Sequence, residues 1–314
     1  MKIIRGSRNI KNGIKDPILT LGNFDGVHIG HKEIFRQVVE RAKDVKGTSV
    51  VYTFEPHPLH VVAPAKTPPL LTTLRKKIEL IAMSGIDIVV CADFTKRFAD
   101  QHPKDFARDT LVEKIGVKEV FVGYDYTFGK GREGSIAYLK KMGEEFGFKV
   151  TVIDAITVNG QIVSSTLVRD TIEEGDMEKA MRLLGRYYSI EGKVVDGIKK
   201  GSIIGFPTAN IDTSYDLIPH TGVYVVKTTI DGEIFNGVAN VGFNPTFHRD
   251  RLNVEVHILD FERDIYGKNI EIYFIKKMRD EIDFGAAEGL KRQIKKDIDF
   301  AQEILTGIRF NSLI

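Results

Sequence analysis

The stretch ILTLGNFDGVHIGH (18–31) decides how the first half of the chain folds. Its apolar run at 18–24 lies between Pro17 and a glycine-rich turn, which is typical of a short buried strand. The residues that follow have a helical period, with apolar members on one face: Ile34, Val38, Ala42 and Val45. A strand that passes through a glycine-rich turn into a helix predicts one unit of an α/β domain.

The same alternation of strand and helix continues to about residue 156. The further predicted strands are SVVYTF (49–54), IDIVVCA (86–92), VKEVFVG (117–123) and FKVTVIDAI (148–156). Amphipathic helices separate these apolar runs, which indicates a parallel sheet covered on both faces. The first half is therefore predicted to be a Rossmann-like α/β domain with a parallel sheet.

The pattern changes after Gly185 to segments that alternate with period two and are rich in Val, Ile, Tyr and Thr. These segments are YYSIEGKVV, GVYVVKTTI, EIFNGVANV, LNVEVHILDF and KNIEIYFIKK. A final helical stripe follows them, so the second half is predicted to be an antiparallel β-barrel with a terminal helix. We place the domains at residues 1–186 and 187–314, and two domains also fit a chain of 314 residues.

Composition describes an ordinary globular protein, with 42% hydrophobic and 28% charged residues. The formal net charge is only +2, which does not favour a nucleic-acid partner bound through bulk charge. Cys91 is the only cysteine, which excludes an intrachain disulfide. No apolar run approaches the roughly 18 residues of a membrane span, and the charged start does not resemble a signal peptide. We expect a cytoplasmic protein with no membrane partner.

The turn GNFDGVHIGH (22–31) has the chemistry of a phosphate site. Glycines allow a ligand to approach the backbone closely, and a helix N-terminus presents free N–H groups to an anion. His28 and His31 are three residues apart, so in a first helical turn both rings can face one phosphate group. The alternative is two incidental surface histidines, which is the more common fate of a single histidine.

The HxGH element of this turn resembles the signature of nucleotidylyltransferases. The longer string resembles the flavin branch of that group, the prokaryotic bifunctional riboflavin kinase/FMN adenylyltransferases, also called FAD synthetases. TFEPHP (53–58), GYDYTFGKGREG (123–134) and SSTLVRD (164–170) follow in the order of that family. The resemblance extends through the second half and so covers almost the whole chain.

This resemblance implies roles for residues of the first half. His28 and His31 would be catalytic, and Asp125 and Phe128 would bind flavin. The residues implied in binding ATP and its phosphates are Gly22, Asn23, Phe24, Ser164, Ser165, Thr166 and Arg169. Read without the family, Ser and Thr before a helix are usual N-caps, and a phenylalanine most often packs in a core.

In the second half, GKVVDGIKKGSIIGFPTANI (192–211) resembles the riboflavin kinase signature. The resemblance implies that Thr208 and Asn210 bind Mg²⁺, which prefers oxygen ligands. It also implies that Gly201 and Pro207 contact ATP. Read alone, Pro-Thr-Ala-Asn is typical of an ordinary turn.

The strand LNVEVHILDF (252–261) places Glu255 on the face opposite its apolar residues. A carboxylate on a rigid strand can accept a proton from an alcohol during phosphoryl transfer. The family match selects Glu255 as the general base for the ribityl 5′-hydroxyl, whereas the common alternative is a solvent-facing carboxylate. Arg279 matches a family segment that borders the flavin, although KKMRDE also has the composition of a solvated charge run.

The predicted function is phosphorylation of riboflavin to FMN, followed by adenylyl transfer to FMN, which gives FAD. ATP would be the co-substrate and Mg²⁺ the metal, and all partners would be small molecules. One departure is Ser202, where the kinase signature usually has arginine after glycine. It leaves open an adenylyltransferase with an inactive, flavin-binding barrel. A non-enzymatic flavin sensor is the alternative from another class, and the sequence leaves the oligomeric state open.

Overall fold

The strands and helices of the chain divide into two units. The computed structural model describes residues 1–10, 13–197, 204–243, 252–285 and 287–308. By their internal contacts, one unit comprises Met1–Pro68 and Thr72–Ser164, and the other comprises Pro69–Leu71 and Ser165–Ile314. The functional boundary near residue 186 stays a prediction.

A parallel sheet forms the centre of the first unit. Its strands are β1 (Lys2–Arg5), β2 (Pro17–Leu21), β3 (Thr48–Glu55), β4 (Ile88–Asp93), β5 (Glu119–Gly123) and β6 (Lys149–Ile153). Within the described residues their order is β1-β4-β3-β2-β5-β6, and every neighbouring pair is parallel. A separate small hairpin consists of β7 (Thr157–Val158) and β8 (Gln161–Ile162). The predicted parallel sheet is confirmed.

Helical segments connect the strands of this unit. The α-helices are α1 (Ile29–Asp44), α2 (Pro58–Val62), α3 (Leu74–Met83), α4 (Lys96–Ala99), α5 (Pro103–Asp105) and α6 (Ile136–Phe146). α5 continues into a π-helical segment, Phe106–Ile115, and short 3₁₀ turns lie at Ser7–Asn9, Pro64–Lys66 and Lys130–Arg132.

Apolar residues cover both faces of the sheet because neighbouring residues of a strand point to opposite sides. In β2, Ile18 joins a cluster with Phe35 and Val38 of α1. Leu19 of the same strand joins a second cluster, with Phe106 and other residues of the π-helical segment. The continuous apolar runs of the sequence therefore correspond to strands buried on both sides.

The second unit contains a closed antiparallel barrel. Its strands are β9 (Tyr188–Val195), β10 (Ala209–Thr213), β11 (Gly222–Ile230), β12 (Glu233–Phe243), β13 (Leu252–Ile258) and β14 (Asn269–Arg279). In the described part of the chain they close in the order β10-β13-β12-β11-β14-β9, with β9 pairing back to β10. Among the described residues, the helices of this unit are α7 (Ser165–Glu173), α8 (Met177–Leu184) and α9 (Ala287–Thr306).

The terminal helix α9 packs against the outside of the barrel, as the sequence predicted. Ala301 and Leu305 are buried in one cluster with Val225, Tyr273 and Ile275 of the barrel strands. Among the described residues, no helix combines the length and the apolar character that a membrane crossing needs.

Two elements differ from the pattern-based expectation. Ala209–Thr213 forms β10, although Pro-Thr-Ala-Asn alone is typical of a turn. Pairing with both β9 and β13 supplies hydrogen bonds that local sequence does not encode. β1 is also a strand, because its backbone continues the sheet beside β4 despite the charged residues around it.

Candidate functional site

The turn after β2 and the segment after β5 leave the same edge of the parallel sheet. β2 and β5 are neighbours, and the chain continues from β2 to β3 on one side and from β5 to β6 on the other. Ligands of open α/β sheets bind outside the carboxyl ends of the strands at such a reversal of strand order. The topology therefore places GNFDGVHIGH and GYDYTFGKGREG, two of the predicted motifs, at the expected ligand edge.

A cavity of about 590 Å³ opens at this edge of the first unit. Four residues predicted from the sequence line it, namely Gly22, Asn23, Asp125 and Phe128. The sequence analysis did not identify the other aromatic residues of its wall: Phe54, Phe94, Phe98, Phe106 and Tyr126. A largely aromatic cavity of this volume suits a flat, conjugated ligand with a few polar groups.

Ring contacts fix the shape of the cavity wall. Tyr126 and Phe128 are stacked with ring centroids 5.8 Å apart and an interplanar angle of 17°. Phe106 packs against Phe128 at 6.1 Å, and Phe98 packs edge-on to Phe106 at 5.7 Å. Burial raises the pKa of Tyr126, so its phenol stays neutral at physiological pH.

His28 begins helix α1 and is fixed by the helix start itself. It is the N-cap residue, and its Nδ1 accepts a hydrogen bond from the backbone N–H of His31 at 3.4 Å. An accepting Nδ1 leaves the ring proton of a neutral imidazole on Nε2, where it can donate to a phosphate oxygen. The rings of His28 and His31 stack at 3.6 Å with an angle of 18°, so both imidazoles lie together at the N-terminus of the helix.

The glycines of this turn are required by close packing. A Cβ on Gly30 would lie 3.2 Å from both Cε1 and Nδ1 of His28. A Cβ on Gly22 would lie 2.7 Å from the ring of Phe24. Phe24 in turn packs edge-on to His31, with centroids 5.2 Å apart. Because Gly30 has no Cβ, the ring of His28 can lie against it. Because Gly22 has no Cβ, the ring of Phe24 can lie there and pack against His31.

The turn between β2 and α1 is strained and is held from outside. Phe24 and Val27 have φ values of +53° and +42°, a region that costs a side-chain-bearing residue of order 1–3 kcal/mol. Thr72 stabilises the turn, because its Oγ1 accepts from the N–H of Gly26 at 3.2 Å and donates to Asp25 at 3.4 Å. The backbone N–H of Thr72 also donates to Asp25, at 3.2 Å. Strain of this kind is typical of ligand-binding turns.

SSTLVRD lies across the start of helix α7. Ser165 is the first helical residue, so Ser165 and Thr166 lie within the helix, whereas the sequence suggested that they precede it. Arg169 follows one turn after the helix start, as the pattern predicted. Arg169 is buried, and its Nε donates to the carbonyl of Pro69 at 2.8 Å. The phosphate-binding role of Ser164, Ser165, Thr166 and Arg169 stays a prediction.

In the barrel, strand pairing gathers the predicted kinase residues. Asn210 of β10 lies opposite Glu255 of β13 in the register of the two strands. The Oγ1 of Thr208, just before β10, donates to Oε2 of Glu255 at 3.4 Å. Asn253 donates from Nδ2 to Oδ1 of Asn210 at 3.2 Å and to Oε1 of Glu255 at 3.1 Å. A hydroxyl, an amide oxygen and a carboxylate are therefore held together.

His257 supports the same site from the end of the strand. Its Nδ1 is 2.8 Å from the carbonyl oxygen of Pro207, to which a protonated Nδ1 donates. Its ring also packs edge-on to Phe206, with centroids 5.7 Å apart. Asn253, Glu255 and His257 share the face opposite the buried valines of β13, as the alternation predicted. The contributions of Asn253 and His257 were not anticipated, although the alternation already placed both beside Glu255.

The guanidinium of Arg279 contacts groups of the protein itself. Its guanidinium forms an ion pair with the buried Asp297 of α9, with Nη2 and Oδ2 2.7 Å apart. Nη1 donates to the carbonyl of Asp280 at 2.9 Å, and the ring of Phe284 lies 5.8 Å from the guanidinium carbon. The predicted flavin contact of Arg279 stays a prediction, and Gly201 and Ser202 lie outside the described residues.

Comparison with known proteins assigns both halves. A family model for FAD synthetase matches residues 11–167, and one for riboflavin kinase matches residues 184–305. A protein of Escherichia coli named bifunctional riboflavin kinase/FMN adenylyltransferase is 40% identical over 305 residues, or 96% of this chain and 97% of that protein. Relatives of the same name from Haemophilus influenzae and Listeria monocytogenes are 39% and 41% identical, covering 96% and 89% of this chain and 98% and 90% of theirs. The chain belongs to the bifunctional riboflavin kinase/FMN adenylyltransferase family.

A solved structure from Streptococcus pneumoniae has the same fold, with a TM-score of 0.86 and 29% sequence identity. The match covers 96% of this chain and 99% of that one. That structure is described as a macrolide-efflux protein, a description that concerns the streptococcal protein. For the present chain, the predicted family is confirmed, as is the prediction of an enzyme with FAD synthetase and riboflavin kinase domains.

Gly30→Ala tests whether the position of His28 matters to the FAD synthetase half. The added methyl group would push the His28 ring away, so we expect FAD formation from FMN to fall by about 10- to 100-fold. Helix propensity favours alanine, so the thermal midpoint should not fall. Gly13→Ala is the matched control, because a Cβ there meets nothing within 4 Å. Full activity of the Gly30 variant would contradict the assignment.

Asn253→Leu tests the support of the kinase residues. It removes the amide that donates to Asn210 and Glu255 while keeping side-chain volume, so we expect riboflavin phosphorylation to fall by about 10-fold or more. Steady-state assays of FMN formation measure this, and FAD formation from supplied FMN should stay within twofold. Asn269→Leu, at an exposed position that begins β14, is the control. Equal kinase activity in both variants would exclude a role for the Asn253 amide.

Proposed function

We propose that the chain converts riboflavin to FAD in two ATP-dependent reactions, one in each predicted domain. Residues 187–314 would form FMN and residues 1–186 would form FAD. The observation that carries the proposal is that each half has its own assembled set of reactive groups. His28 and His31 stack at a helix N-terminus in one half, and Glu255 lies opposite Asn210 in the other.

The first reaction is phosphoryl transfer to the ribityl 5′-hydroxyl of riboflavin. The hydroxyl oxygen attacks the γ-phosphorus of ATP, the bond from that phosphorus to the β–γ bridging oxygen breaks, and ADP leaves. Glu255 accepts the hydroxyl proton. Its carboxylate is held for this task by bonds from Thr208 and Asn253, which fix the direction of its two oxygens.

Mg²⁺ fits the oxygen donors beside Glu255. Among the described residues, no group of three or more His, Cys, Asp and Glu side chains could hold a metal ion. The donors that lie beside Glu255 are hydroxyl and amide oxygens. Thr208 and Asn210 supply these, and the Asn253 amide orients Oδ1 of Asn210 as an acceptor. When bound, the ion would neutralise charge on the ATP phosphates.

The second reaction is adenylyl transfer to FMN. A phosphate oxygen of FMN attacks the α-phosphorus of a second ATP, and pyrophosphate leaves as the bond from the α-phosphorus to the α–β bridging oxygen breaks. Negative charge on the leaving phosphates is met by N–H donors of His28, His31 and the N-terminus of α1. These groups donate hydrogen bonds at fixed positions, and no covalent enzyme intermediate is needed.

The aromatic cavity of the first unit supplies a place for the flavin ring of FMN. Its stacked Tyr126 and Phe128 present flat faces, and Asp125 and Asn23 add polar groups at the rim. The isoalloxazine ring is flat and conjugated, which suits such walls. Cytoplasmic location is part of this proposal, because ATP and flavin are the only partners it requires.

Two substitutions separate the reactions in the full chain. His28→Asn keeps an N-cap acceptor and should abolish FAD formation while leaving FMN formation intact. Glu255→Gln keeps shape and should stop FMN formation while allowing FAD formation from supplied FMN. Chromatography of flavins after incubation with Mg²⁺ and ATP measures both. We expect losses of at least about 100-fold, which is typical when a charge-stabilising donor such as His28 or an acid–base group such as Glu255 is removed.

The same assay decides between the alternatives. Formation of FAD from FMN but no phosphorylation of riboflavin by the unaltered chain would indicate an inactive barrel, which Ser202 leaves open. Absence of both products would overturn the proposed function. Loss of both activities in either folded variant would contradict the division of labour between the two halves.

Phe128→Leu tests the flavin cavity. It removes one stacked ring but keeps an apolar side chain, so we expect the Kd for FMN at the first unit to rise about 2- to 10-fold. The dependence of FAD formation on FMN concentration measures this, because binding of FMN to the barrel does not contribute to that rate. Phe146→Leu is the control, because Phe146 packs on the same core outside the cavity wall. An unchanged Kd for the Phe128 variant would place the flavin ring elsewhere.

A further inference from the structure

Lys77 is a buried lysine at the edge of the sheet where the cavity opens. It lies on α3 and is 6% exposed, although lysine is almost never buried unless paired. Its Nζ donates to the backbone carbonyls of Asn23 at 3.2 Å and Phe54 at 3.4 Å. Burial lowers the pKa of Lys77, and the charges of Glu55 and Asp25 oppose that shift. The amino group of Lys77 therefore links the backbone of the turn after β2 to the backbone at the end of β3.

Both of those segments are walls of the aromatic cavity. Asn23 comes from the turn after β2 and Phe54 from the end of β3, and both residues line the cavity. The carbonyl of Asn23 also accepts from Oγ1 of Thr53 at 3.1 Å. Two donors on one carbonyl fix the orientation of that peptide more firmly than one would, and Lys77 adds a link between the two walls.

The peptide that Lys77 holds leads directly into the strained part of the turn. Asn23 precedes Phe24, whose φ is +53°, and Val27 follows at +42° just before the N-cap residue His28. A strained backbone persists only where surrounding contacts over-determine it. Lys77 and Thr53 supply such contacts at the start of the turn, as Thr72 does in its middle.

We propose that Lys77 is a positioning residue for adenylyl transfer, which holds the turn after β2 so that His28 faces the ATP phosphates. The assignment rests on the proposed function of the first unit. Lys77 acts through the carbonyl of Asn23 and does not contact substrate. Loss of its amino group should therefore impair the chemical step more than it impairs the binding of FMN or ATP.

Lys77→Met in the full chain tests the proposal, because methionine fills similar space without a donor. We expect kcat for FAD formation from FMN to fall at least about 10-fold, with KM for ATP and FMN within about threefold. Riboflavin phosphorylation by the same preparation should stay within twofold, which reports that the second unit is intact, while thermal melts report the folding of the first unit. Lys140→Met, at an exposed position on α6, is the matched control and should change neither activity.

Thr53→Val provides an independent readout at the same carbonyl with almost no change in volume. We expect kcat for FAD formation to fall at least about threefold in this variant. In the double variant the two losses should be non-additive, because both side chains act on the peptide of Asn23. If Lys77→Met does not fold, Thr53→Val alone decides, and an unchanged kcat overturns the proposal.

Two further results would also overturn it. One is a kcat for Lys77→Met within twofold of the unaltered chain. The other is a loss of FAD formation that matches the fraction of unfolded protein in thermal melts, which would indicate a purely structural lysine. Failure of the proposed function is recognised separately, since the unaltered chain would then make no FAD from FMN.

Discussion

The left-handed backbone in the turn after β2 is the constraint on which the first unit depends. A side chain at positive φ is unfavourable, yet Phe24 and Val27 both adopt it, and both are buried. This conformation lets the chain leave β2 and enter α1 with His28 at the helix start. The surrounding network of Thr72, Thr53 and Lys77 supplies the opposing contacts. Because β2 and β5 are neighbouring strands, the segment that follows β5 lies beside this turn, and both segments line the cavity.

In the barrel, the predicted kinase residues are positioned by regular strand pairing and not by a strained turn. Its reactive groups lie on regular, paired strands, and the register alone sets Asn210 opposite Glu255. The residues on either side of Glu255 on that face, Asn253 and His257, bind Asn210 and Pro207. A single strand, β13, therefore orients the predicted base Glu255, the predicted metal ligand Asn210 and the loop before β10, which carries the other predicted ligand, Thr208. Sites on strands are positioned more sharply than sites on loops, which fits a reaction controlled by in-line geometry.

Much of this architecture follows from local pattern. Period-two and continuous apolar runs predicted both sheets, and the alternation around Glu255 predicted which face it occupies. The cavity wall could not be predicted, because Phe54, Phe94, Phe98 and Phe106 come from separate elements that only the tertiary fold brings together. β10 was missed for the same reason, since its partners are distant in sequence. Lys77 resembles a solvated lysine on an amphipathic helix, and only its burial distinguishes it.

These contacts explain how a chain with a formal net charge of only +2 can bind phosphate groups. The buried lysine nearest the turn donates to backbone carbonyls, so it does not supply positive charge to a phosphate. In the proposed adenylyl transfer, phosphate charge is instead met by the N-terminus of α1 and by imidazole N–H donors, which act over hydrogen-bond distances. Such local contacts are screened far less by salt than a diffuse basic surface would be. A chain with a net charge of +2 can therefore bind two highly charged nucleotides without attracting anions in general.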